Sequence, residues 1–187
     1  AVALVAAFIT AVSGSDALAE GLYARGINLR DVLAYPSGRD WPLYRGPEAN
    51  PTDGELRRLR AAGFTFVRLP VEPGPFLDQP EQRARALFDR LIAVIGQAKR
   101  AGLAVLVSPH PRPDLEDWSQ RRILADRNGP LYRSYAAWLE RLAATLAALG
   151  TDGIALGLMN EPQAECRNPE GVDWIEHQRD LFARVRA

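Results

Sequence analysis

The stretch LAVLVSP, Leu103 to Pro109, is the clearest indication of architecture in this chain of 187 residues. Its first five residues are all apolar, which is typical of a parallel strand buried on both faces. The residues before it, Pro80 to Arg100, predict a long amphipathic helix that ends at Gly102. The apolar stripe of that helix comprises Leu87, Leu91, Ile92 and Ile95. Helix and strand together form one repeat of an α/β chain.

The same strand-then-helix unit recurs on both sides of this stretch. The other predicted strands are GLYARGINL (Gly21 to Leu29), FTFVRLP (Phe64 to Pro70) and GIALGLMNEP (Gly153 to Pro162). Three further helices are predicted. The first, TDGELRRLRAAG, is capped by Thr52 or Asp53 and ends at Gly63, the second, LYRSYAAWLERLAATLAALG, ends at Gly150, and the third is GVDWIEHQRDLFARVRA. A long loop from His110 to Pro130 is predicted to include a short helix near Leu115 to Ala125. Four such units predict parallel strands joined by right-handed crossovers.

Two architectures suit four strand-helix units, half of a (β/α)₈ barrel and a small open doubly wound sheet. The open sheet needs a glycine-rich phosphate loop after its first strand, and the segment GINLRDV contains none. We therefore predict the α/β class and a (β/α)₈ TIM barrel, of which only the first four β/α units are present, because a full barrel takes about 250 residues.

Composition limits the chemistry. The 23 basic and 23 acidic side chains give no net charge, which argues against a nucleic-acid partner. A single cysteine, Cys166, excludes an internal disulfide framework, and the two histidines, His110 and His177, leave few metal ligands. No metal and no organic cofactor is expected. Carboxylates remain as the groups for catalysis.

The N-terminal run AVALVAAFITAV, followed by small residues at Ala17 and Ala19, predicts a secretory signal peptide over residues 1–19. It is too short to span a bilayer, so no membrane partner is expected after cleavage. The alternative is a buried N-terminal helix. We expect a secreted or periplasmic protein whose domain covers residues 20–187.

Four motifs in order carry a family resemblance. They are RGINL (Arg25 to Leu29), FVRLPV (Phe66 to Val71), VLVSPH (Val105 to His110) and LGLMNEP (Leu156 to Pro162). Each resembles the corresponding strand of glycoside hydrolase family 5, the cellulase family, and the resemblance covers Gly21 to Ala187. One departure is Ser108, where the family commonly has Asp. The resemblance implies a retaining hydrolase that cleaves a β-linked glucan or related polysaccharide by double displacement.

The resemblance also implies roles for individual residues. Glu161 would be the general acid/base, kept protonated by partial burial and by the charge of a nearby nucleophile. Asn160 would hydrogen-bond the sugar 2-hydroxyl, Arg68 would orient the nucleophile, and His110 would contact the sugar or brace the carboxylates. The nucleophile itself would be a Glu at the end of a seventh strand. Because this chain has only four predicted strands, we expect an N-terminal half that is inactive alone; the alternative is a non-catalytic carbohydrate-binding half-barrel, and the oligomeric state stays open.

Aromatic residues in the loops have two possible roles. Trp41, Tyr44 and Trp118 follow predicted strands one and three, where their rings could stack on sugars or form packing lids. Trp138 and Trp174 lie on predicted helices and are expected in the core. His177 lies between polar neighbours in the last helix and is expected to face solvent.

Overall fold

The structure is a computed structural model that describes residues 21–36, 41–46, 49–112, 117–162 and 174–186. The expected signal peptide and Cys166 lie outside these residues. Within these ranges, no helix combines the length and the apolar composition needed to cross a membrane.

Four parallel strands form one sheet in the order β1-β2-β3-β4. Their bounds are β1 (Gly26–Asn28), β2 (Phe66–Val71), β3 (Ala104–Pro109) and β4 (Ile154–Leu156). The two central strands pair over six positions, from Phe66 with Ala104 to Val71 with Pro109. Because neighbours in sequence are neighbours in the sheet, the order never reverses as it does in a doubly wound fold. The predicted α/β class and the barrel-type order of the four units are confirmed.

In the described part of the chain, six helices with defined bounds connect and follow the strands. They are α1 (Asp53–Ala61), α2 (Gly74–Leu77), α3 (Glu81–Arg100), α4 (Gln120–Leu124), α5 (Pro130–Ala148) and α6 (Trp174–Arg186). The start of α1 is fixed by a capping box, in which the Thr52 hydroxyl accepts from the Glu55 N–H and the Glu55 carboxylate accepts from the Thr52 N–H. The three long predicted helices and the terminal one are confirmed, while α2 was not anticipated.

The core lies on one face of the sheet. Val67 and Leu69 of β2, with Val105 and Val107 of β3, are almost completely buried beneath the helices. Three side chains of opposite parity, Phe66, Arg68 and Leu106, are only partly buried. Helices therefore cover one face of the sheet in the described residues, which is the arrangement of a barrel wall.

Two predicted strands are shorter in the structure. The first begins at Gly26, because residues 21–22 are helical, and the fourth ends at Leu156, six residues before the predicted end. By contrast, β2 continues through Pro70, which we expected to close it. The nitrogen of Pro70 faces the β1 side, and β1 has already ended opposite Arg68, so no ladder hydrogen bond is lost there.

Predictions for the helical side chains have mixed outcomes. Trp138 is buried and Trp174 packs against the core, as expected. His177 was expected in solvent, and this is wrong: it is 6% exposed, and its ring lies 5.2 Å from that of Tyr132. The packing of α6 on α5 buries a position that looks polar in sequence. The short helix predicted at Leu115 to Ala125 is present only as α4, and residues 113–116 lie outside the description.

We predict that Thr52→Ala lowers the free energy of unfolding by about 1 kcal/mol, because the Glu55 N–H at the start of α1 loses its acceptor, the Thr52 hydroxyl. Urea unfolding followed by circular dichroism measures the change. Thr151→Ala is the matched control, since Thr151 is exposed in a turn and caps no helix. Equal effects of the two substitutions would contradict the assignment.

Candidate active site

The Arg68 guanidinium is the centre of a polar cluster on the inner face of the sheet. It donates to Asn28 Oδ1 over 3.3 Å and to Ser108 Oγ over 2.8 Å, and it also donates to Asn160 Oδ1. These partners belong to β1, to β3 and to the segment after β4, respectively. One side chain of β2 thus contacts polar groups from each of the other three β/α units.

Backbone hydrogen bonds beyond the strand ends hold the other candidate residues in place. The His110 N–H donates to Val71 O over 2.7 Å, and the Asn160 N–H donates to Pro109 O over 2.7 Å. Each segment therefore stays against its neighbouring strand after the regular ladder stops. Because parallel strands end at one edge, His110 and Asn160 lie at the same edge as Arg68, as the sequence predicted.

Glu161 follows Asn160 at this edge and adopts a left-handed backbone, with φ of 41°. Its side chain is exposed in the described residues, so the expected partial burial is not observed. Its negative charge acts on two neighbouring basic side chains, because it raises the pKa values of Arg68 and His110. Glu161 is therefore close to both groups and accessible from solvent.

The His110 imidazole is favoured in its neutral form. Burial lowers its pKa, the charge of Arg68 lowers it further, and Arg112 and Arg30 contribute smaller effects in the same direction. Glu161 opposes this shift. A neutral imidazole can donate from one nitrogen and accept at the other, which suits contact with sugar hydroxyl groups.

The sequence analysis missed an aromatic side chain beside His110. The ring of Tyr35 lies 6.0 Å from that of His110, and two guanidinium carbons, those of Arg30 and Arg112, lie 4.8 Å and 5.3 Å from its centroid. The loop after β1 brings Tyr35 here because Leu33 forms a parallel bridge with Val71. Tyr35 is separated from the first motif by several residues, so only long-range pairing reveals its position.

The sequence analysis also missed a buried carboxyl group, that of Glu72. Glu72 is completely buried directly after β2, and its N–H donates to Leu33 O over 2.9 Å. Burial raises the pKa of Tyr44 strongly, and the negative charge of Glu72 raises it further. Tyr44 itself is buried and donates its hydroxyl to Leu33 O over 3.0 Å, so it packs in the core. A lone Glu immediately after an apolar strand is the signal that could have identified this position.

The two tryptophans that could stack on sugars, Trp41 and Trp118, contact residues outside the Arg68 cluster. Trp118 packs over Gly74 and donates its indole N–H to Asp78, so it fastens α2 to the loop after β3. The Trp41 ring is 37% exposed, and the Arg83 guanidinium carbon lies 5.3 Å from its centroid. Within the described residues, neither tryptophan forms a hydrogen bond or ring contact with the Arg68 cluster. These contacts favour the packing role for Trp118.

No group of three or more His, Cys, Asp or Glu side chains in the described part of the chain could hold a metal ion. What the edge of the sheet offers is a carboxylate, a neutral imidazole, an amide and a guanidinium. This set can exchange a proton and hold hydroxyl groups, which is the chemistry that glycosidic cleavage requires.

The sequence model of the cellulase family, glycosyl hydrolase family 5, matches residues 30–187, so the chain belongs to that family. No curated protein matches the chain.

Solved structures share its fold. It resembles Cel5A of Thermotoga maritima in complex with cellobiose, at 22% identity over 88% of this chain and 48% of that one, with a TM-score of 0.64. A broad-specificity endoglucanase from Bacteroides salanitronis is 20% identical over 86% of this chain and 45% of that one, with a TM-score of 0.65. A family 5 enzyme from Prevotella bryantii in complex with a xyloglucan tetradecasaccharide is 23% identical over 74% of this chain and 41% of that one, with a TM-score of 0.58. The chain spans about half the length of these structures.

The charge of Glu161 makes a testable prediction about His110. In Glu161→Gln the pKa of His110 should fall further below its usual value near 6.5, because the one charge that raises it is removed. Histidine NMR titration measures this, and the chain contains only one other histidine, His177. Glu140→Gln, on α5, should leave the titration of His110 unchanged, and a rise in Glu161→Gln would contradict the geometry.

Proposed function

We propose that this chain supplies the acid/base half of a retaining glycoside hydrolase, with Glu161 as the general acid and base. The single observation that carries the proposal is the Arg68 cluster, which joins all four β/α units beside Asn160 and Glu161 in a chain of the cellulase family.

Glu161 suits proton transfer because of where it lies. A leaving glycosidic oxygen must receive a proton as the bond breaks, and an exposed carboxyl at the sheet edge can reach a substrate bound there. In the second step the same group would take a proton from water. In retaining enzymes a second carboxylate lies about 5–5.5 Å from the acid/base group.

Arg68 and Asn160 would act as a pair. A guanidinium has only donors, so the Asn160 oxygen faces Arg68 and its amide NH₂ is directed elsewhere. That NH₂ is the group we assign to the sugar 2-hydroxyl, a contact that strengthens in the transition state. The positive charge of Arg68 would keep a neighbouring nucleophile ionised, and neutral His110 would hold a further hydroxyl.

The substrate we propose is a β-linked glucan or related polysaccharide. Neighbouring structures of the same fold were determined with cellobiose, mannotriose and a xyloglucan oligosaccharide. The resemblance assigns the nucleophile to a Glu at the end of a seventh strand, which lies beyond the four described strands. Export to a secreted or periplasmic location is proposed on the sequence of residues 1–19 alone.

Glu161→Gln tests the acid/base assignment in the full-length natural protein that contains these residues. Turnover of a β-glucan should fall by about 10²- to 10⁴-fold, the usual contribution of general acid–base catalysis. An aryl glycoside whose leaving group needs no proton should still release its phenol in a first burst, because only the first step is independent of the acid. Reducing-sugar release and rapid-mixing absorbance measure the two reactions.

Glu140→Gln is the matched control, since Glu140 is paired with Arg184 on the helical surface and should not affect either reaction. Undiminished glucan turnover in Glu161→Gln would refute the assignment. A wild-type protein that binds the glucan without cleaving it would instead support the carbohydrate-binding alternative.

Residues 20–187 expressed alone should release no reducing sugar, because retaining cleavage needs a second carboxylate near Glu161. Circular dichroism shows whether the segment is folded in the same sample. Hydrolysis by a folded preparation of this segment would mean that the nucleophile lies among these residues.

A further inference from the structure

The loop after β1 and the segment after β3 bring positive charge to the sugar site. Arg30 and Arg112 lie over the ring of Tyr35, and Tyr35 lies beside His110. We refer to Arg30, Tyr35 and Arg112 as the arginine–tyrosine cluster. Nothing in the roles assigned above to Glu161, Asn160 and Arg68 uses these three residues.

Among the described residues, more positive than negative side chains act on the pKa of His110. The guanidinium groups of Arg68, Arg112 and Arg30 lower it, and the carboxylate of Glu161 raises it. Like charges gathered in one place are stabilised by an anion. Arg30 is exposed, and within the described residues its one cation–π contact is with the Tyr35 ring. Its N–H groups are therefore accessible to a ligand.

Tyr35 and Glu161 share an unusual backbone conformation. Tyr35, with φ of 59°, and Glu161, with φ of 41°, are the two non-glycine residues with a positive φ in the described part of the chain. Such conformations persist where surrounding structure imposes them, and they are concentrated at functional sites. Here the Leu33–Val71 bridge holds the loop that carries Tyr35.

Stacking of a neutral sugar is the competing role for Tyr35. Sugar rings stack on an open aromatic face, but guanidinium groups already lie over this ring. The cluster therefore presents positive charge beside a rigid ring. Its guanidinium N–H donors lie in a plane, a geometry that matches a carboxylate.

We propose that the arginine–tyrosine cluster binds the carboxylate of an acidic sugar, so that the preferred substrate is a β-linked polysaccharide carrying uronate residues. The inference rests on the proposed function and refines its substrate. Arg30 would hold the carboxylate, Arg112 would add positive charge beside it, and Tyr35 would fix the position of the Arg30 guanidinium.

The test compares two cello-oligosaccharides of equal length, one neutral and one oxidised to the carboxylate at C6. Calorimetric titration gives both dissociation constants for the full-length protein carrying Glu161→Gln, so binding is measured without turnover. We expect the oxidised ligand to bind about tenfold more tightly at low salt, as for a charge-assisted hydrogen bond. The preference should fall sharply at about 1 M salt, where the Debye length is about 3 Å.

Arg30→Gln in that background should reduce the preference at least about threefold without weakening the neutral ligand, and Arg30→Gln with Arg112→Gln should remove it. Arg57→Gln, an exposed arginine of α1, is the control and should change nothing. Since Arg30 is exposed, its substitution remains informative if the double variant does not fold. Equal binding of the two ligands, or a preference that survives Arg30→Gln, overturns the inference.

Wild-type turnover of the neutral oligosaccharide separates this inference from the proposed function. Cleavage of the neutral ligand without any preference for the oxidised one leaves the hydrolase proposal standing and removes the acidic substrate. If the oxidised ligand binds in an arginine-dependent way and the wild-type protein cleaves neither ligand, the proposed carboxylate site is supported and the hydrolase proposal is refuted. If neither ligand binds, both the hydrolase proposal and the proposed carboxylate site are refuted.

Discussion

The constraint on which the structure depends is that all four strands run in the same direction. Parallel neighbours cannot be joined by a tight turn, so the chain must return along the sheet between strands, and it does so largely as helices. These helices cover the face that carries Val67, Leu69 and Val105. The opposite face and the carboxyl ends of the strands are left for chemistry, which is why residues far apart in sequence meet at one edge.

Arg68 combines a structural and a chemical role at that edge. Its hydrogen bonds to Asn28, Ser108 and Asn160 join the inner face of the sheet across all four units. Burial lowers the pKa of the guanidinium, and the charge of Glu161 raises it, so the proposed acid/base residue favours the charged form of Arg68. Ser108, where the family commonly has Asp, keeps a hydrogen bond to Arg68 without adding a negative charge. The site is thereby more positive, which agrees with the acidic substrate proposed above.

Predictions from sequence succeeded where a local pattern carries the information. Helical periodicity located α1, α3 and α5, and the apolar runs located the two long central strands. The meeting of Arg68 and His110 was predictable because strand ends share an edge in any parallel sheet. The lengths of the two outer strands were not predictable, because β1 and β4 each pair with only one neighbour in the described residues and their ladders end after three residues.

The sequence alone determined the α/β class, the order of the four units and the convergence of Arg68 and Asn160, because each depends on a periodic pattern or on a motif at a strand end. Only the tertiary structure decided that His177 is buried, that Trp118 fastens α2, and that two arginines contact the Tyr35 ring beside His110. These positions depend on contacts between segments distant in sequence. Such contacts are set by how helices and loops pack against the finished sheet, and no local pattern encodes them.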